Sequence, residues 1–245
     1  MKLSTSRILV TGGGVRIGKA ISLALAKAGA EVLIHYRHSS DAAEETAEMI
    51  RTHGGKADTV CGNVATEAGV KSIMDQALAK GALDGLVNNA AVFNRTTLAE
   101  SDRQIFLDEF GPNLLGPLAL IRAFAAQGGK GSVVNLLDRR IAAHDAGAVP
   151  YQLSKVALAE ATRLAALEFA PRLRVNGVAP GAILPPPGKE DQTDYMAQNG
   201  GKAPLDSQCT PEDVASAVLF LMQAPAITGQ ILFVDAGQNL LGNGV

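Results

Sequence analysis

Short apolar, β-branched runs alternate along the chain with longer stretches in which apolar positions recur every three or four residues. The short runs lie at residues 8–10, 31–34, 57–61, 85–87, 132–136, 174–178 and 231–234. Continuous apolar runs of this length, bounded by turn residues, predict strands buried on both faces. The longer stretches, at 17–28, 41–52, 67–79, 106–125, 156–169 and 212–222, carry a helical period. Strand and helix in alternation build βαβ units. The chain is therefore expected to be α/β: one doubly wound Rossmann-type sheet of seven mainly parallel strands, helices on both faces, residues 1–245 forming one domain.

Punctuation residues sharpen some boundaries. Gly29 stands where the first helix should end, Pro211 where the last should begin, and Asp41 with Glu44 can form a capping box. Residues 180–204 show no period and contain Pro185-Pro186-Pro187-Gly188. A long aperiodic stretch in a compact domain is expected to be a binding loop; the alternative is a surface insertion.

Composition narrows the function classes. Lys and Arg number 22 against 24 Asp and Glu, so no basic excess supports nucleic-acid binding. Hydrophobic residues make up 47% and no Trp is present, so the core rests on Ala, Val, Leu and Ile. Cys61 and Cys209 form no CxxC pair. No secretory signal or membrane span is visible, and a soluble, cytoplasmic protein is expected. His35, His38, His53 and His144 show no metal-ligand spacing.

Two segments carry chemistry. After the first strand comes Thr11-Gly12-Gly13-Gly14-Val15-Arg16-Ile17-Gly18, followed by a helix. Glycines there let the backbone approach a pyrophosphate, which the helix N-terminus attracts. The second strand ends in His35-Tyr36-Arg37-His38-Ser39 and lacks the carboxylate that would bind the ribose diol of NAD. Arg37 can pair with a 2′-phosphate and Ser39 or Ser40 can hydrogen-bond it, so NADPH is expected over NADH. Asn63-Val64 and Asn88-Asn89-Ala90 stand at carboxyl ends of strands, where open α/β sheets bind ligands, although asparagines also cap turns.

At the other segment, Tyr151 and Lys155 are one helical turn apart and share a face. A phenol is a poor acid-base group near pH 7 until a cation stabilises its phenolate, and Lys155 is expected to do that. Asp138 lies thirteen residues before Tyr151, and Asn113 lies on a preceding helix.

This ordered set resembles the short-chain dehydrogenase/reductase family over essentially the whole length. Thr11-Gly12 with Gly18, Asn88-Asn89-Ala90, Asn113, Tyr151 with Lys155, Pro180-Gly181 and Val234-Asp235-Ala236-Gly237 carry the likeness. The resemblance implies a proton-donating Tyr151, a Lys155 that lowers its pKa and holds the nicotinamide ribose, an Asn113 supporting a proton relay, and a homotetramer. Helices 106–125 and 156–169 would be its packing surfaces. Departures fall near the substrate: Arg16 replaces a small residue, Asp138 a serine, and Pro185 a threonine. Asn63 replaces an aspartate near the adenine, and Ala236 a glycine. Arg16, residues 35–39, Phe93 and Asp138 are similar to pteridine and dihydromonapterin reductases, which implies a pterin substrate stacked on Phe93 with Leu184 in the substrate loop. Alternatives are a carbonyl reductase of the 3-oxoacyl-carrier-protein or sugar/alcohol type, and a non-catalytic NADP-binding regulator.

Overall fold

The computed structural model describes residues 1–185 and 201–241. Seven strands form one all-parallel sheet: β1 (Arg7–Val10), β2 (Glu31–Tyr36), β3 (Lys56–Cys61), β4 (Gly85–Asn88), β5 (Gly131–Leu136), β6 (Leu173–Pro180) and β7 (Ile231–Val234). Their order is β3-β2-β1-β4-β5-β6-β7. The chain reverses direction of growth between β1 and β4. At the carboxyl ends of these two neighbours the crossovers diverge to opposite faces, which leaves the crevice where open α/β sheets take ligands.

The helices are α1 (Arg16–Lys27), α2 (Ser40–Thr52), α3 (Glu67–Leu78), α4 (Arg103–Phe110), α5 (Gly116–Ala126), α6 (Val149–Phe169) and α7 (Pro211–Gln223). Because side chains alternate along a strand, Ile8 and Val10 enter one core with Ile21 and Leu25 of α1 and Val218 of α7. Leu9 enters the opposite core with Ile73 of α3 and Leu120 and Phe124 of α5. Each such fully buried Leu or Ile contributes roughly 1.5–3 kcal/mol.

Three local expectations are corrected. Asp41 and Glu44 form no capping box: α2 starts at Ser40, no side chain caps it, and Glu44 pairs instead with Arg51. The capping box is at α7, where Thr210 and Asp213 cap reciprocally and Pro211 occupies the first turn. The single helix expected over 106–125 is broken by a π-helical turn, Gly111–Leu115. Pro112 and Pro117 have no N–H to donate, so the regular ladder cannot run through, and the Gly116 N–H reaches back to the Gly111 carbonyl. Gly29, with φ +94°, ends α1 as its position suggests.

Helix α6 begins at Val149, seven residues earlier than the period predicts, with Pro150 in its first turn. Its first two turns therefore hold both Tyr151 and Lys155. A buried amide chain fixes α6 against the sheet: Asn88 Nδ2 donates to Asn135 Oδ1 at 2.8 Å, and Asn135 Nδ2 donates to Thr162 Oγ1 at 2.9 Å. No helix among the described residues is long and apolar enough to cross a membrane.

Candidate active site

A cleft of about 330 Å3 opens over the carboxyl ends of β1 and β4. One side is Gly12, Arg16, Ile17 and Gly18; the other is Asn63, Val64, Asn89 and Ala90, with Arg37 at the far edge. The glycine-rich turn lies close against itself. A Cβ on Gly18 would sit 2.0 Å from the Gly12 oxygen and 2.6 Å from Asn89 Nδ2, so no side chain fits there. Gly14 does different work, because a Cβ there would meet Ala43 Cα at 2.6 Å: its missing side chain lets α2 pack.

Neutral groups hold this turn in place. Asn89 Nδ2 donates to the Thr11 carbonyl at 2.8 Å and to that of Gly12 at 3.1 Å. Thr11 Oγ1 accepts from the backbone N–H of Asn89 and of Ala90, both at 2.9 Å. The Gly12 N–H donates to His35 Nδ1 at 3.1 Å, and His35 Nε2 lies 3.0 Å from the Gly62 oxygen. Since Nδ1 must accept, the ring is neutral with its proton on Nε2. Burial lowers the His35 pKa, against the opposing hydrogen bond to Gly62. Arg16 adopts φ +52°, a strained region for a side-chain-bearing residue, and its Nη2 donates to the Pro185 carbonyl at 2.6 Å. Arg37, His38 and Ser39 are exposed, and Tyr36 is half-buried beside Cys61.

The second cluster converges from four segments. Tyr151 on α6 donates through its hydroxyl to Asp138 Oδ2 at 2.9 Å. Asp138 follows β5 and is held by the Arg140 N–H at 2.8 Å and by Arg140 Nη1 at 3.3–3.4 Å from both oxygens. Arg140 Nε also donates to Asp145 Oδ2 at 3.0 Å. The Phe93 ring meets Tyr151 edge to face at 4.7 Å between centroids, and the Arg140 guanidinium lies 5.1 Å over the Phe93 ring. Phe93 is 42% exposed, so it lies at an opening and is not core filling.

Behind Tyr151 the groups are buried. Lys155 Nζ donates to the Leu136 carbonyl at 2.8 Å. Asn113, inside the π turn, brackets Val92 with both ends of its amide and donates to Glu109 Oε2 at 2.8 Å. Glu109 is 1% exposed and accepts from the backbone and side chain of Asn94.

Electrostatics depart from the expectation for Tyr151. Burial pushes its phenol well above the ordinary value of 10, the adjacent Asp138 charge and hydrogen bond push further, and Arg140 works in the opposite direction. The hydroxyl's partner here is a carboxylate, and Lys155 Nζ is 5.8 Å from the ring centroid. Burial brings the Lys155 ammonium down to about 8, with Asp138 and Glu109 opposing. Burial also raises Glu109, which its amide donors and Lys155 offset in part. Asp145 is held low, because Arg140 and the Gly147 N–H outweigh its burial.

The expected residues therefore assemble into two adjoining groups. Leu184 packs against the core of α1 and α7. At the rim, Pro180 ends β6 and Gly181 lies against Asp235, where a Cβ would meet Asp235 Cα at 2.9 Å. Ala236 takes φ +53°, which accounts for glycine being the usual residue there. Of the loop 180–204, residues 186–200 lie outside the described residues. Sequence reasoning missed Glu109, Arg140 and Asp145. Glu109 stands four residues before Asn113 and so on its helix face, which is the one signal available; Arg140 reads from the sequence only as a solvated neighbour of Asp138. Among the described residues no group of three His, Cys, Asp or Glu is placed to hold a metal.

A family model described as enoyl-(acyl carrier protein) reductase matches residues 14–239. An uncharacterized oxidoreductase of Mycobacterium tuberculosis is 37% identical, over 96% of this chain and 93% of the relative. The alternative dihydrofolate reductase 1 FolM of Brucella canis, crystallised with NADP, superposes with a TM-score of 0.90 at 34% identity, covering 98% and 96% of the two chains. The angucycline C-6 ketoreductase LanV, also with bound NADP, gives the same TM-score of 0.90 at 27% identity, covering 98% and 97%. With this sheet order, this crevice and these matches, the chain belongs to the short-chain dehydrogenase/reductase family of oxidoreductases.

Proposed function

We infer that the protein is an NADPH-dependent reductase of a pterin or dihydropterin ring, with Tyr151 as proton donor. The observation that carries this reading is the 2.9 Å hydrogen bond from Tyr151 to Asp138 beside the half-open Phe93 ring. A carboxylate that only accepts suits a ring rich in N–H donors, and an aromatic face suits a flat heterocycle. The FolM relative adds support, being named a dihydrofolate reductase.

The residues present fit the cofactor. The glycine-rich turn, closed against itself at Gly18, presents backbone N–H groups at the start of α1 to take the pyrophosphate, with Gly12, Arg16 and Ile17 lining the cleft. Arg37, with Tyr36, His38 and Ser39, would take the 2′-phosphate. Asn63 and Val64 would line the adenine side, Asn89, Ala90 and Lys155 the ribose, and Pro180 and Gly181 the nicotinamide. NADPH, when bound, supplies the hydride. Tyr151 gives its hydroxyl proton to the substrate, Asp138 holds and orients that hydroxyl, and Lys155 stabilises the phenolate left behind. Asn113 carries the relay behind Lys155.

The second reading, a carbonyl reductase, is favoured by the equal superposition of the LanV ketoreductase. NADPH oxidation measured side by side on a dihydropterin and an acetoacetyl thioester separates the two. Turnover of the pterin alone supports our reading, and turnover of the thioester alone replaces it. Exposed Leu107, Leu115, Leu153, Val156, Leu164 and Leu167 on α4 to α6 support a homotetramer, which light scattering tests. The free cysteines Cys61 and Cys209 suit a reducing, cytoplasmic setting. Residues 1–245 would act as one domain with 180–204 as its substrate loop.

A further inference from the structure

The Tyr151 cluster contains a second cation besides Lys155. Arg140 stands two residues after Asp138, and its guanidinium makes three contacts of different kinds. Its Nη1 is shared between the two Asp138 oxygens at 3.3–3.4 Å, while the Arg140 backbone N–H fixes Oδ1 at 2.8 Å. Its Nε is anchored by Asp145 at 3.0 Å. Its Cζ lies over the Phe93 ring, 5.1 Å from the centroid, which in turn lies 4.7 Å from that of Tyr151.

Geometry of this kind is difficult to attribute to chance packing. The guanidinium is largely covered, at 20% side-chain exposure, and its backbone is tied as well, since the Arg140 carbonyl accepts from Gln152 on α6 at 2.8 Å. Asp145, its anchor, is held independently by the Gly147 N–H at 3.0 Å and by Arg95 at 3.4 Å. A planar fork held at two carboxylates has little freedom left.

We propose that Arg140 is a positioning residue of the reaction, fixing the Asp138 carboxylate against the Tyr151 hydroxyl and holding Phe93 on the edge of that phenol. This rests on the reading of Tyr151 as proton donor. The chemical consequence is a divided electrostatic task. Asp138 beside a buried phenol resists its ionisation, and a cation on the far side of that carboxylate offsets part of the resistance. The Arg140 charge does oppose the Asp138 effect on Tyr151. Tyr151 therefore remains able to release its proton although its hydrogen-bond partner is an anion. Lys155 Nζ, held by the Leu136 carbonyl, lies 5.8 Å from the Tyr151 ring centroid.

The test compares Arg140→Gln with wild type and with Arg140→Lys, using NADPH and whichever of the dihydropterin and the thioester is turned over faster. Arg140→Gln is expected to lower kcat about tenfold with the KM for NADPH unchanged, and to move the alkaline limb of the kcat profile about one unit upward, because the phenol has lost a cation. Arg140→Lys should return the limb to its wild-type position. In an Asp138→Asn background the same Arg140→Gln change should cost less than about twofold, since the carboxylate it acts through is gone. An unchanged kcat, an unmoved limb, or an equal loss in both backgrounds overturns the proposal. Should Arg140→Gln fail to fold, Asp145→Asn loosens the anchor without touching Tyr151; a drop in kcat of about threefold supports the proposal and no drop overturns it. Tyr151→Phe run in parallel separates the two readings. Full activity there removes the donor role itself, whereas an inactive Tyr151→Phe beside a wild-type-like Arg140→Gln removes only the role of Arg140.

Discussion

The glycine-rich turn is held by an imidazole, an amide, a hydroxyl and backbone N–H groups, all neutral, within hydrogen bonds of 2.8–3.1 Å. Around Tyr151 the supporting groups are Asp138, Arg140, Asp145, Glu109 and Lys155, all ionisable and mostly covered. The two halves of the site do different work. A turn that must let backbone close on an anion needs fixed shape, which short neutral bonds and absent side chains provide at any salt concentration. A group that must lose and regain a proton needs its charge balance set, and opposed charges in a poorly solvated place set it.

The most direct way to break this contrast is at the proton. Tyr151→Phe removes the hydroxyl and keeps the ring against Phe93, so packing and cofactor binding should survive while kcat falls about 10³-fold. Cofactor fluorescence titration beside steady-state kinetics checks both halves. Weakened NADPH binding of similar size would mean that the two ends are one unit.

At the turn the corresponding insult is steric. Gly18→Ala places a methyl 2.0 Å from the Gly12 oxygen and 2.6 Å from Asn89 Nδ2. Backbone must move, and we expect a loss of about 3 kcal/mol, or a Tm roughly 6–12 °C lower, together with weakened NADPH binding. Gly14→Ala meets the α2 backbone at Ala43 and should destabilise without a specific effect on NADPH. Thermal melts with and without cofactor separate them.

The contrast also explains what was legible in the sequence. A turn that admits only glycine writes that requirement locally, next to a strand and a helix, and the seven strands of a doubly wound sheet followed from alternation of periods. Tyr151 and Lys155 were legible because one helical turn links them. Arg140, Asp145 and Glu109 were not, because each acquires its role by folding against another segment, as in the approach of Glu109 to Asn94, of Arg140 to Phe93 and of Arg95 to Asp145. The π turn was hidden for a related reason: the apolar period over 106–125 runs through Pro112 and Pro117 without showing that the backbone ladder cannot. The early start of α6 escaped because Pro150 reads as a stop until it is recognised as a first-turn residue.

Cofactor choice sharpens the comparison at its exposed edge. Arg37 is solvent-facing beyond β2, where no acid follows the strand. Arg37→Ala should raise the KM for NADPH about twentyfold, near the ~2 kcal/mol of a hydrogen bond to a charged group, and leave that for NADH unchanged. Equal effects on the two would remove the 2′-phosphate role.

The smallest expected effect concerns pH at the neutral end. His35 is fully buried, accepts from the Gly12 N–H, and has its pKa lowered by burial from the ordinary 6.5. The unfolded chain takes up a proton near 6.5 while the folded chain keeps the ring neutral, so unfolding consumes a proton below that pH. The contribution of His35 is therefore complete above about pH 6.5 and is lost as pH falls toward its lowered folded value, by at most about 1.4 kcal/mol per pH unit. Melts between pH 8 and 5 should show a decline that His35→Gln flattens, since a glutamine does not titrate there. A decline of the same steepness in that variant would assign the acid sensitivity to the ionised groups around Tyr151, and the turn would then be insensitive to acid altogether.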